Sequence, residues 1–334
     1  MDFSKAFDKV SHSLLTHKPD HYGIKGKTNR WIQNFLAERK QVVVVEGERS
    51  DSINVELGVP QGSVPSLFLF YINDMPEGIR SRVKLFADDT IVYLTITSDT
   101  DADYLQEDLD KLAEWEEKWK MAFHLDKCNV LTITRKRKPI VREYQLHGQT
   151  LEAVKSAKYI VCTISADLKW NDHIRNICNK ANKTIGFLKR YPNINNSKIK
   201  ETAYKSLVRP TVEYASSVWD PYHQNNKHRL EMVQRRAARY VTNRHHNTSS
   251  VSSMMEDLNW KSLEDRRKIA KLTMMYKLVN GLVLVNTEDR LIPPDRISRN
   301  NNTKAYQIPS CRTEIKKISY FPRTIRDWNA PPDN

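Results

Sequence analysis

Short apolar, β-branched runs and turn residues punctuate the first half of the chain, and longer amphipathic stretches fill the second. Val83-Lys84-Leu85 and Ile91-Val92-Tyr93-Leu94 flank Phe86-Ala87-Asp88-Asp89-Thr90. This is the pattern of a tight hairpin with two adjacent carboxylates at its turn. Gln41–Val45 and Ile53–Leu57 predict two further strands, joined by Glu46–Ser52 with Gly47 in the turn. Leu105, Leu109, Leu112, Trp115 and Trp119 recur at helical spacing between acidic residues, an apolar stripe suited to core packing. Strand character returns within Phe123–Thr134, around Val130–Thr134, and ends at the basic turn Arg135–Pro139. Beyond Trp170 amphipathic helices are predicted over roughly 171–191, 197–217, 226–243 and 260–280. The tail from Pro293 is polar and rich in Asn and Pro, with one short apolar segment at Tyr320-Phe321.

These patterns predict an α+β part over residues 1–163, a helical part over 164–290 and an irregular tail over 291–334. The 334 residues suffice for two domains, and 39% hydrophobic with 28% charged residues describes a soluble globular chain. No apolar run reaches the roughly 18 residues of a membrane span, and no signal peptide precedes the first block. Cys128, Cys162, Cys178 and Cys311 form no CxxC pair, which suits a reducing compartment rather than a disulfide framework or zinc site. His12, His17 and His21 have helical spacing without an acidic or thiol partner, and His245-His246 ends a basic stretch, so neither set is read as zinc-binding.

Location gives the net charge of +14 its meaning. Residues 169–246 hold 16 Lys and Arg against 5 Asp and Glu, whereas residues 99–126 hold 10 acids and 3 lysines. The asymmetry predicts a polyanion-binding surface in the second half, with Lys189, Arg190, Arg235, Arg236 and Arg239 as its candidates.

Two upstream blocks stand with the Asp88-Asp89 turn: Asp2-Phe3-Ser4-Lys5-Ala6-Phe7-Asp8-Lys9-Val10 and Gly58-Val59-Pro60-Gln61-Gly62-Ser63. In order and spacing the three resemble motifs A, B and C of reverse transcriptases, specifically those of non-LTR, LINE-type, jockey-like retrotransposons. His21–Gly26, Tyr204–Pro210, Glu213–Asp220 and Phe321–Trp328 look like the same family, so the resemblance covers nearly the whole chain.

The resemblance implies an incomplete reverse-transcriptase palm, an antiparallel sheet with helices, followed by a basic all-helical thumb and C-terminal region. It implies RNA-directed DNA synthesis from dNTPs on an RNA template and DNA primer, with no membrane partner and a nuclear setting. Asp2, Asp88 and Asp89 match the carboxylates that hold two Mg²⁺ ions (Mn²⁺ being the alternative), the two-metal arrangement of phosphoryl transfer. Lys127, in the motif-D-like Asp126-Lys127-Cys128, matches the proton donor to pyrophosphate. Lys5 and Ala6 match the backbone facing the triphosphate, Phe7 the residue against the sugar 2′ position, and Gln61 and Gly62 the motif B pair beneath the base. Lys158–Val161 resembles the hairpin that grips the primer.

Three departures accompany the match. The chain opens one residue before the motif A aspartate, so truncation there is expected. The segment Pro65–Phe70 is two residues short of the family pattern, enough to turn a helix face by about 200°. Pro19 falls inside the predicted helix Ser11–Tyr22. Impaired catalysis is the expectation, with an inactive nucleic-acid-binding remnant as the alternative.

Overall fold

A computed structural model describes residues 1–61, 65–190, 196–246, 248–294 and 305–330. The chain divides into two units, Met1–Val161 and Cys162–Asn334.

In the first unit, α1 (His12–His21) and α2 (Lys27–Leu36) follow the opening segment. α1 runs through Pro19 and is held beyond it by Tyr22 N–H to the Lys18 carbonyl (3.2 Å) and Ile24 N–H to the Pro19 carbonyl (2.7 Å). The first expected hairpin forms as two ladders. The outer one pairs β1 (Lys40–Gln41) with β4 (Ile53–Asn54), and the inner one pairs β2 (Val44–Val45) with β3 (Glu48–Arg49) around Glu46-Gly47. Their registers differ by one residue, which marks a bulge on the return strand near Ser50, and this hairpin is solvent-exposed.

Next, α3 (Pro65–Ile72) buries Leu67, Phe68, Tyr71 and Ile72. The shortened segment therefore still presents an apolar face to the core. β5 (Arg82–Phe86) and β6 (Asp89–Tyr93) form the expected hairpin, from Arg82 opposite Tyr93 to Phe86 opposite Asp89. Its two-residue turn, Ala87-Asp88, places Ala87 at φ +49°, as a tight hairpin requires. α4 (Asp99–Trp119) starts at a capping box between Ser98 and Asp101, and buries Leu109 and Leu112 of the expected stripe.

Strand pairing after α4 is sparser than the sequence predicts. β7 covers only Asn129–Val130, and Leu131–Thr134 has no ladder partner among the described residues. Those residues line a groove of about 750 Å³ shared with Ile91–Tyr93 of β6 and the following Leu94. β-Propensity without a neighbouring strand does not complete a sheet. β8 (Gln145–Leu146) pairs with β9 (Gln149–Thr150), β10 (Glu152–Ala153) lies parallel to β7, and β11 (Ser156–Tyr159) follows. The expected palm sheet is thus a set of short ladders, nearly all antiparallel, around helices. Its core gathers Phe3, Phe68, Tyr71, Leu112 and Phe123.

The second unit opens with β12 (Cys162–Ser165) and is otherwise helical. α5 (Asn171–Lys189) is followed by a helix that the sequence predicts as continuous over 197–217. It is instead broken into α6 (Ser197–Ala203), a π turn (Tyr204–Val208), α7 (Arg209–Glu213) and α8 (Ser216–Trp219). Pro210 lacks the N–H that would continue the ladder, and Ala215 at φ +51° ends α7. α9 (Gln224–Thr242), α10 (Val251–Asp257) and α11 (Leu263–Val279) follow, the last capped by Ser262. The tail expected to be irregular carries α12 (Glu314–Lys317) and α13 (Tyr320–Asn329), because Pro322, Thr324 and Ile325 form a buried face. Among the described residues no helix is long and apolar enough to cross a membrane.

Candidate active site

The motif A segment lies between two chain regions far from it in sequence. On one side Asp2 forms an antiparallel bridge with Asp89. Thr90 N–H donates to the Met1 carbonyl (3.1 Å), and the Met1 ammonium donates to the Thr90 carbonyl (2.8 Å). On the other side Phe3 bridges to Phe123. There His124 N–H donates to the Asp2 carbonyl (2.8 Å) and Ser4 N–H to the Ala122 carbonyl (2.7 Å). Beneath, the Phe3 ring stacks on Phe123 at 4.4 Å between centroids and meets Phe68 edge-on at 6.5 Å. Asp2 is thereby tied to the Asp88-Asp89 turn by backbone pairing over an aromatic floor.

The charges of this cluster are interdependent. Asp89 is half-buried, and burial, then Asp88, then Asp2 push its carboxyl above the ordinary range. The Met1 ammonium and Lys158 oppose the shift. Burial pushes the nearby Tyr159 hydroxyl up, and Asp89 adds to the shift. Lys127 Nζ lies 3.0 Å from Asp2 Oδ2. It is delivered there by a short 3₁₀ turn, Leu125–Lys127, that follows directly on the His124 hydrogen bond to Asp2.

Motif B docks on motif A. Val59 N–H donates to the Phe7 carbonyl (2.8 Å) and Gly58 N–H to the Val10 carbonyl (2.7 Å), while His12 Nε2 lies 2.7 Å from the Gly58 carbonyl. Gly58 has φ +87°, and a Cβ there would meet Asp8 Cα and O at 3.0 Å. That requirement was not singled out in the sequence; Gly58 opens the quoted block, and its partner Asp8 is distant. The Phe7 ring stacks on Phe68 at 4.5 Å. Lys5 is exposed at φ +53°, Ala6 is buried, and Gln61 is exposed in a turn. Gly62 lies outside the described residues.

The basic candidates belong to the second unit. Lys189 is the last residue of α5 and Arg190 its C-cap, both exposed. Arg235 and Arg236 are exposed on α9, with Arg239 half-exposed. Asn226 to Asn171 (2.6 Å), Cys178 to Arg229 (3.8 Å) and Tyr240 to Leu188 (3.4 Å) show that α5 and α9 run side by side in the same direction. Lys189, Arg190 and Arg239 therefore gather at one end of the pair.

Neighbouring carboxylates such as Asp2, Asp88 and Asp89 are the donor chemistry of a hard divalent cation. Among the described residues, no three His, Cys, Asp or Glu side chains converge into an all-protein cage. Mg²⁺ does not demand one, since one or two carboxylates with substrate phosphates complete its octahedron. The residues fit such an ion on that basis.

The family model described as reverse transcriptase (RNA-dependent DNA polymerase) matches residues 1–167. The RNA-directed DNA polymerase from mobile element jockey of Drosophila melanogaster is 26% identical over 339 residues, covering 95% of this chain and 34% of that protein. Its counterpart from Drosophila funebris is 27% identical over 263 residues, covering 72% of this chain and 28% of that protein. The probable RNA-directed DNA polymerase from transposon X-element of Drosophila melanogaster is 26% identical over 261 residues, again 72% and 28%. The chain spans about a third of the length of these relatives. With half of its residues matched by that model, the chain belongs to the reverse transcriptase family.

Proposed function

We propose that this chain is the polymerase part of a non-LTR, jockey-like retrotransposon protein, extending a DNA primer on an RNA template with dNTPs. The observation that carries the reading is the pairing of Asp2 with Asp89, which joins the motif A aspartate to the Asp-Asp turn. Asp2 and Asp88 would hold Mg²⁺, or Mn²⁺ in its place, with Asp89 in support. When bound, the ions would neutralise charge that develops at the transferred phosphoryl group.

The remaining roles belong to the chain's own residues. Phe7, held against Phe68, would bear on the sugar 2′ position of the incoming nucleotide. Lys5 and Ala6 would present backbone N–H groups to the triphosphate, and Gln61 with Gly62 would support the base. Lys127, held 3.0 Å from an Asp2 oxygen, would carry the proton for the departing pyrophosphate. Unit 2 would serve as the thumb, with Lys189, Arg190, Arg235, Arg236 and Arg239 contacting duplex phosphates in a salt-dependent manner. The setting of the reaction would be nuclear.

Primer extension on an RNA template with Mg²⁺ and dNTPs tests this reading, with Asp88→Ala as control. Extension by the parent that is lost in the variant is the expected result. Extension by neither, with duplex binding by both, would refute catalysis and leave a nucleic-acid-binding remnant.

A further inference from the structure

Two segments quoted from the sequence, Glu213–Asp220 and Phe321–Trp328, take no part in the carboxylate cluster, and unit 2 brings them together. Arg323 Nη1 donates to the Asp220 carbonyl oxygen at 2.8 Å, and Nη2 to Asp220 Oδ2 at 2.7 Å, across 103 residues. Lys271 Nζ reaches the same carboxylate oxygen at 2.8 Å, and Arg267 Nε donates to Oδ1 at 2.9 Å. Asp327 stands 3.4 Å from Lys271. The hub thus joins Arg267, Lys271 and Arg323 to Asp220 and Asp327, with the half-buried Glu231 carboxylate within electrostatic reach of Arg267.

Burial leaves part of this hub unsatisfied. Arg267 is 1% exposed and Lys271 4%, and Arg267 Nη1 and Nη2 have no hydrogen-bond partner among the described residues. Burial would raise the Asp220 carboxyl, but Lys271, Arg323 and Arg267 outweigh it and hold the group below its ordinary value. Apolar side chains would join α11 to α13 without desolvating so many ions.

A cavity of about 670 Å³ opens over it. Asp220, Lys271, Arg323, Arg326 and Asp327 line it together with Tyr222. Glu264, also on the wall, is occupied by Lys227 at 2.5 Å, and Asp265 by the Ser262 hydroxyl at 2.6 Å. Arg326 is exposed and in no ion pair among the described residues. The Tyr222 ring is 51% exposed and meets His223 at 5.8 Å, a wet aromatic surface beside cations.

We propose that this cavity binds a nucleoside phosphate, its phosphate facing Arg326 and the hub and its base stacked on Tyr222. Cations beside an exposed aromatic ring are the elements that hold unstacked nucleotides in proteins. The ligand comes either as a free nucleotide or as one nucleotide splayed from a single strand. This pocket is built within unit 2 and does not depend on the role of Asp2, Asp88 and Asp89.

Calorimetric titration of the full chain with AMP tests the proposal, with inorganic phosphate and a single-stranded RNA dodecamer as competitors. Saturable AMP binding is expected, weakened about fivefold or more by Tyr222→Ala, the low end of the loss of a stacked base. Arg326→Ala weakens it as well, and Asp88→Ala leaves it unchanged. Both pocket substitutions are at exposed positions, so folding is retained. Displacement by RNA at lower nucleotide concentration than AMP identifies a strand; equal or weaker displacement identifies a free nucleotide. Absence of saturable binding, binding indifferent to both pocket variants, loss in Asp88→Ala, or phosphate binding as tight as AMP would each overturn the proposal.

Discussion

Lys18 offers a direct measure of what burying a charge in this fold costs. It is 3% exposed on α1, and its Nζ donates to the Tyr71 carbonyl and to Asp74 Oδ1 at 2.7 Å. The ammonium also lies 3.5 Å from the centroid of the Trp119 ring, with Trp115 at 5.6 Å. Burial is the dominant influence and outweighs Asp74, so the amine titrates at about 8 rather than 10.5. Its folded-state pKa is below the unfolded one, so the unfolded chain holds more protons between those values and stability rises with pH across them. The cost is fully present below pH 8 and absent above 10.5. At about 1.4 kcal/mol per unit the gain is on the order of 3 kcal/mol. Lys18→Met removes the titration while leaving Asp74 the Trp115 indole N–H at 3.0 Å. Urea unfolding followed by tryptophan fluorescence, at pH 7.5 and pH 10.5, gives the stability difference between parent and variant. Taking that difference cancels the tyrosines and thiols that titrate in the same range. The parent should gain about 3 kcal/mol on the variant over this interval. A difference that stays constant with pH would show that Lys18 is solvated and that the reasoning is wrong.

Gly58→Ala should destabilise the fold by about 1–3 kcal/mol, since it adds a Cβ 3.0 Å from Asp8 at a φ of +87°; a lowered melting temperature in calorimetry checks this. Asp220→Asn, which leaves Arg267 and Lys271 buried without their carboxylate, should cost about 3–5 kcal/mol in denaturant unfolding. Because the Asp220 pKa is depressed from 3.8, its contribution is present above that pH and lost as pH falls through the lower folded value, so acid unfolding should begin at higher pH in the variant. Asp89→Asn should raise the melting temperature at neutral pH without divalent ions, because burial, Asp88 and Asp2 all disfavour a charge on this carboxyl; a lowered value would contradict the assigned repulsion.

Legibility followed the range of the interactions. The β5–β6 hairpin was readable because β-branched residues flank a two-residue turn, all within one short window. α4 was readable from Leu109 and Leu112, and α9 came within two residues of its expected start. The break in 197–217 was hidden because Pro210 is compatible with a helix start, and the π turn depends on where Arg209 N–H finds the Tyr204 carbonyl. The Leu131–Thr134 strand was over-read for the converse reason, as its β-propensity has no ladder to join.

The chemistry of the candidate site divides along the same line. Asp2, Asp88 and Asp89 could be named from spacing, but the ion pair from Lys127 to Asp2 arises from a pairing of His124 with the motif A backbone that no local pattern encodes. Gly58 is required by Asp8, and the Asp220 hub is assembled from α11 and α13. In each case the long-range backbone or ion-pair contact decides the electrostatics. Charged residues brought together this way are costly to hold in a bare fold. Carboxylates repel at Asp89, and beside Asp220 the buried Arg267 keeps two nitrogens without an acceptor among the described residues. Both depart from the local consistency of the rest of the fold, which is where functional or strained sites are expected.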